Sequence, residues 1–160
     1  MKDTEIVEAL RSRLGIATGR HLYGVIGTYA ALDRFVAKLA QARPPNGGHF
    51  PKPRSVSRGL LDAIPDDEFR QLVADEARRP EPAAAHVAGA FELFLRSVLK
   101  GKGIVILTDL ELVFAYSLEL SLLRSLAADD DQVLLLLPGR REGSRVVMFA
   151  ETGETGYALP

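Results

Sequence analysis

The sequence has no cysteine. That excludes a disulfide framework, a thiol nucleophile and a zinc site built on thiolates. Its three histidines, His21, His49 and His86, stand far apart and match no metal-ligand spacing, so no metal is expected. No serine occupies a G-x-S-x-G elbow. No apolar run approaches the roughly 18 residues of a membrane span. The N-terminal stretch MKDTEIVEALRSRLG is charged and lacks the apolar centre of a signal peptide. The expectation is a cytoplasmic protein with no membrane partner.

What is present is ordinary for a globular protein. The chain has 160 residues, 47% hydrophobic and 26% charged, which fits one domain over 1–160 that needs no staple. Its net charge of −1 is unevenly placed. Residues 1–58 carry ten Lys/Arg against four Asp/Glu, and residues 59–160 carry ten against seventeen. No block of like charge is long, so the asymmetry is expected to mix on the folded surface.

Hydrophobic periodicity sets out the elements. Residues 4–14 read as an amphipathic helix and His21–Ile26 as a short apolar strand. Tyr29–Ala42 reads as a helix with Thr28 as its N-cap. Residues 43–58 hold four prolines, two glycines and four basic residues without an acid, the composition of a flexible loop with at most an edge strand at Arg54–Ser57. One or two helical turns follow at 59–64. Asp66–Arg79 reads as a helix with acids in its first turn. Pro80 and Pro82 read as breakers, and Ala83–Lys100 as the longest helix, with Gly101 at its C-terminal cap. Residues 103–108 and 132–138 are nearly continuous aliphatic runs, as strands buried on both faces are. Residues 116–128 read as a helix between them. Residues 145–150 read as a final strand, antiparallel at an edge, with Gly139–Ser144 as a turn. Buried strands alternating with helices predict a three-layer α/β domain with a mostly parallel sheet of about four or five strands.

Three places could carry chemistry. The first is the exit of the first strand, Gly24-Val-Ile-Gly27-Thr28-Tyr29-Ala30-Ala31. Strand, glycine turn and helix N-terminus are the setting of a phosphate loop, G-x-x-x-x-G-K-[ST]. Gly24 and Gly27 suit it. Tyr29 stands at the second obligatory glycine, Ala30 at the lysine and Ala31 at the metal-binding hydroxyl. Those are chemical losses, because no ammonium neutralises the phosphates and no hydroxyl holds Mg²⁺. The plain alternative is a strand–turn–helix without a ligand. The second place is the end of the 103–108 strand, where Asp109 and Glu111 resemble Walker B acids. Here too a plain reading exists, with Asp109 capping the next turn and Glu111 solvated. The third is Pro138-Gly139-Arg140-Arg141, where Arg140 could meet phosphate or a partner, or simply sit at a charged hairpin tip. Separately, Lys52, Arg54 and Arg58, with Phe50 for stacking, could touch nucleic acid.

Residues 100–157 are similar to the C-terminal half of BrxF, a family of small P-loop proteins from type 3 BREX bacteriophage-exclusion systems. The matching runs are Asp109-Leu110-Glu111-Leu112-Val113-Phe114, Pro138-Gly139-Arg140 and the tail Phe149–Tyr157. The resemblance implies a P-loop-NTPase-like fold and a role in phage defence, beside partners such as the large BREX ATPase or the phosphatase-like PglZ component. Ala30 and Ala31 depart from the family's intact loop, so the expected protein is a BrxF-like subunit with a degenerate nucleotide site that acts as scaffold or regulator without a cofactor. One alternative is an ATPase that binds Mg-ATP and takes a cation in trans, such as Arg140 of a neighbouring copy in a homo-oligomer. Another is a nucleic-acid-binding module built on 43–58.

Overall fold

The computed structural model describes residues 3–16, 18–45, 47–63, 80–99, 101, 103–116, 118–143, 145–148 and 157–159. Their elements in chain order are α1 (Asp3–Leu14), β1 (Leu22–Gly27), α2 (Tyr29–Gln41), β2 (Arg54–Ser55), α3 (Val56–Ala63), α4 (Pro80–Leu99), β3 (Ile104–Thr108), α5 (Glu111–Ala115), α6 (Ser121–Leu126), β4 (Gln132–Glu142), β5 (Arg145–Met148) and β6 (Tyr157–Leu159). Four strands run parallel in the spatial order β2–β3–β4–β1. β4 outgrows that sheet, and Gly139–Glu142 pair antiparallel with β5, which pairs antiparallel with β6.

The aliphatic runs alternate cleanly between two cores. Val105, Leu107, Val133, Leu135 and Leu137 face α3, α4, α5 and α6. Ile106, Leu134 and Leu136 face α1, α2 and Phe50. Period-two alternation along a strand with both faces covered requires apolar residues at every position, which is what these runs supply. The helices divide between the faces for a topological reason. From β1 the chain crosses the sheet to β2 at the far edge, and from β2 through β3 to β4 it returns. Right-handed crossovers in opposite directions lay their helices on opposite faces.

Several expectations are corrected. Pro80 and Pro82 open α4 instead of breaking the chain. Proline fits a helix's first turn, where backbone N–H groups have no intrahelical partner. The helix expected over 116–128 is shorter, α6 at Ser121–Leu126, and a separate short helix, α5, precedes it at Glu111–Ala115; in the turn between them the Leu118 N–H donates to the Val113 carbonyl (2.8 Å). The break lets Val113 and Leu123 reach the same core. Gly139–Glu142, expected as a turn, extend β4. The turn falls later, with Gly143 at φ +60°. β6 adds a strand that sequence reading did not foresee. The helix expected over 66–79 lies outside the described residues.

Residues 43–58, expected as a flexible loop, form a fitted crossing. Pro44 and Phe50 are buried, and Arg54–Ser55 pair with Leu107–Thr108. The first 58 residues supply the α1–α2 layer and both edge strands of the parallel sheet. Among the described residues no helix is long and apolar enough to cross a membrane.

Gly59 lies within α3, where glycine costs about 1 kcal/mol relative to alanine. A Cβ there would overlap the Phe94 ring of α4. The glycine is therefore what lets α3 and α4 approach. Gly59→Ala is expected to lower stability by about 1–3 kcal/mol despite its better helix propensity. A chemical-denaturation midpoint at or above that of the unsubstituted protein would contradict this packing.

Candidate functional site

In parallel α/β sheets, ligands bind outside the carboxyl ends of the strands, where successive connections leave in opposite directions. Here that place lies above β3, β4 and β1. It holds a cleft of about 280 Å³, lined in part by Tyr29, Asp33, Pro53, Thr108, Asp109 and Pro138.

β1 delivers the first set of site residues. Gly24 and Gly27 are paired residues of the strand, opposite Leu135 and Pro138. Neither has a positive φ. α2 begins at Tyr29, so Thr28 alone connects strand to helix. Thr28 is the N-cap, as expected, and its Oγ1 accepts from the Ala31 N–H (3.0 Å). A phosphate-binding loop needs several successive backbone N–H groups turned inward around the anion. With residues 24–27 held in the ladder and one helix N–H taken by Thr28, this segment does not form such a loop.

β3 delivers the acids. Asp109 follows the strand with φ +55°, in the left-handed region that aspartate tolerates better than most residues. Its carbonyl accepts both the Ser57 N–H (3.1 Å) and the Ser57 hydroxyl (2.8 Å). This bond pair ties the start of α3 to the end of β3 across 52 residues of sequence. Asp109 does not cap α5. The residue at that position is Leu110, without a side-chain cap. Glu111, in the first turn of α5, accepts a hydrogen bond from the Tyr29 hydroxyl (3.2 Å). Both side chains are half-buried. Tyr29, at the first residue of α2, thus reaches across the sheet end to Glu111, the acid compared above with a Walker B residue.

The remaining predicted residues are dispersed. Arg140 is exposed on the hairpin arm and bonds Glu142 through Nε (2.8 Å) and its terminal nitrogen (2.7 Å). Lys52, Arg54 and Arg58 are exposed around β2. Phe50 is not available for base stacking, because it is buried in the α1–α2 core. His49 and His86 are exposed. His21 is buried at the opposite end of β1. Its Nε2–H donates to the Thr18 carbonyl (3.2 Å), and its Nδ1 shares a hydrogen bond with the Tyr23 hydroxyl (2.6 Å). It is a satisfied structural histidine. Among the described residues no cluster of acids and histidines could hold a metal ion.

A larger groove of about 810 Å³ runs between α4 and α6, lined mainly by Phe91, Leu95, Tyr116, Leu118 and Leu122. None of the residues singled out from sequence lies in it. The two features that sequence reading missed, the Ser57–Asp109 clamp and the Tyr29–Glu111 bridge, join distant residues, and no local motif marks them.

The chain matches no family model, no curated protein and no solved structure.

The Tyr29–Glu111 bond is expected to hold the ends of β1 and β3 together. A double-mutant cycle of Tyr29→Phe and Glu111→Ala should return a favourable coupling of about 1 kcal/mol in chemical denaturation. Strictly additive losses would mean that the two side chains act independently.

Proposed function

We propose that this chain is a non-catalytic, BrxF-like subunit of an anti-phage defence system. In this reading it is a P-loop-like α/β scaffold whose nucleotide position is closed by its own side chains, and it works by binding protein partners. The observation that carries this reading is the Tyr29–Glu111 hydrogen bond above a one-residue strand-to-helix connection. A nucleotide-hydrolysing relative would need a loop, an ammonium group and a free acid at this spot. The chain instead has a strand, alanines and an acid bonded to tyrosine. The strand order leaves β4 between the glycine-bearing β1 and the acid-bearing β3, which the P-loop-like reading accommodates.

The defence context and the partner class, a large BREX ATPase or a PglZ-like component, come from the resemblance of residues 100–157 to BrxF. The alternatives are less well supported. Arg140 is engaged by Glu142 on its own hairpin, which weighs against its serving as a cation in trans. Burial of Phe50 leaves the basic β2 region without a stacking platform, which weighs against a single-stranded nucleic-acid site there.

Calorimetric titration with Mg-ATP and with Mg-ADP tests the reading directly. The expected result is no binding heat at millimolar nucleotide. The doubly substituted Ala30→Lys/Ala31→Thr protein should stay equally silent, because the backbone loop is missing as well as the side chains. Micromolar binding by the unsubstituted protein would overturn the non-catalytic reading. The defence role is tested by co-purification from the expressed operon, where recovery of this subunit alone would count against it.

A further inference from the structure

The two outer edges of the parallel sheet are built differently. The β2 edge is two residues long, preceded by Pro51-Lys52-Pro53 and carrying Arg54. Short length, proline and charge are the usual guards against edge-to-edge pairing. The β1 edge has none of them. It is six residues long, and from His21 through Ala31 the chain contains no proline, lysine, arginine, aspartate or glutamate. Among the described residues β1 pairs with β4 alone. Gly24 is exposed, and Ile26 keeps 40% of its surface exposed.

The ladder shows which groups face outward. The Val133 N–H donates to the His21 carbonyl (2.8 Å), and Tyr23 lies opposite Leu134. In a parallel pair alternate residues bond a given neighbour, so His21, Tyr23, Val25 and Gly27 bond β4. Leu22, Gly24 and Ile26 therefore turn both their N–H and their C=O toward the open edge. Their side-chain positions also share one face, the face on which Leu22 packs into the α3–α6 core and Ile26 is bare.

We propose that β1 pairs antiparallel with β1 of a second copy of this chain, about a two-fold axis at Gly24. In that register Gly24 faces its own counterpart, and Leu22 faces Ile26 of the partner subunit. Every outward residue then sits at a hydrogen-bonded position, and each such pair exchanges two bonds. A shift by one residue would set outward groups against inward ones, and a shift by two would leave an outward residue unpaired. The occupant is a second copy because the strand is complementary to itself. Across the axis the bare Ile26 gains Leu22 of the partner subunit, twice over. The absence of charge removes the like-charge contacts that a two-fold pairing readily creates. Glycine at the axis leaves room for those apolar pairs to close. The inference is independent of the proposed defence role.

The chain's lack of cysteine makes the test clean. Light scattering on the eluting protein should give twice 17.4 kDa, falling on dilution. Gly24→Cys should form a disulfide-linked dimer under mild oxidation, since facing residues at a hydrogen-bonded position lie about 5.5 Å apart. Ile26→Cys should not, because its two copies would be about 14 Å apart at ~3.4 Å per residue. Ile26→Lys should yield a monomer with an unchanged circular-dichroism spectrum. A protein that is monomeric at every concentration overturns the proposal. So does a dimer that survives Ile26→Lys, or one in which Ile26→Cys cross-links as readily as Gly24→Cys.

Discussion

β4 stands between β1 and β3, and its five central residues, Val133–Leu137, are buried on both faces. A strand in that position must be apolar throughout and must find backbone partners on both sides, since a buried unpaired amide costs about as much as a lost hydrogen bond. The rest of the architecture follows from meeting those demands. β1 and β3 satisfy its edges, and the two helical layers cover its alternating side chains. Where Pro138 removes an N–H, the strand leaves the parallel sheet and exchanges those partners for β5.

The same arrangement explains the closed site. β1 stays in register with β4 through Gly27, which consumes the residues that a phosphate loop would need. α2 then starts at once, and its first residue, Tyr29, projects toward Glu111 at the end of β3. The clamp between Ser57 and Asp109 draws the β2 side of the sheet to that same end. The strand ends are therefore knitted together by side-chain and backbone bonds, and the space left over is a cleft of about 280 Å³.

Much of the framework was legible in the residues. The runs at 103–108 and 132–138 announced buried parallel strands, and the spacing of Leu32, Phe35, Val36 and Leu39 announced the inner face of α2, where Leu32, Phe35 and Leu39 are buried and Val36 is partly so. Thr28 as N-cap followed from its own chemistry. The misreadings fell where local chemistry and tertiary demand diverge. Pro80 and Pro82 signal a break only if they lie inside a helix, and they lie at its start. The leucines of 116–128 suit one helix by propensity, but only Ser121–Leu126 form one, because a turn before it lets Val113 of the preceding α5 and Leu123 enter the same core. Basic, proline-rich 43–58 looked like loop because nothing local reveals that Pro44 and Phe50 have a core to enter.

The sequence by itself determined the α/β class, the positions of the central strands and the alanines at 30 and 31, which offer neither an ammonium group nor a hydroxyl, because each depends on side-chain type or on periodicity within a few residues. Only the tertiary structure decided the order β2–β3–β4–β1, the bond between Tyr29 and Glu111, and the place of β1 outside β4 in the parallel sheet. Each of these joins or parts residues distant along the chain. Such pairings arise from burying the two faces of β4 at once, a condition that no single segment encodes.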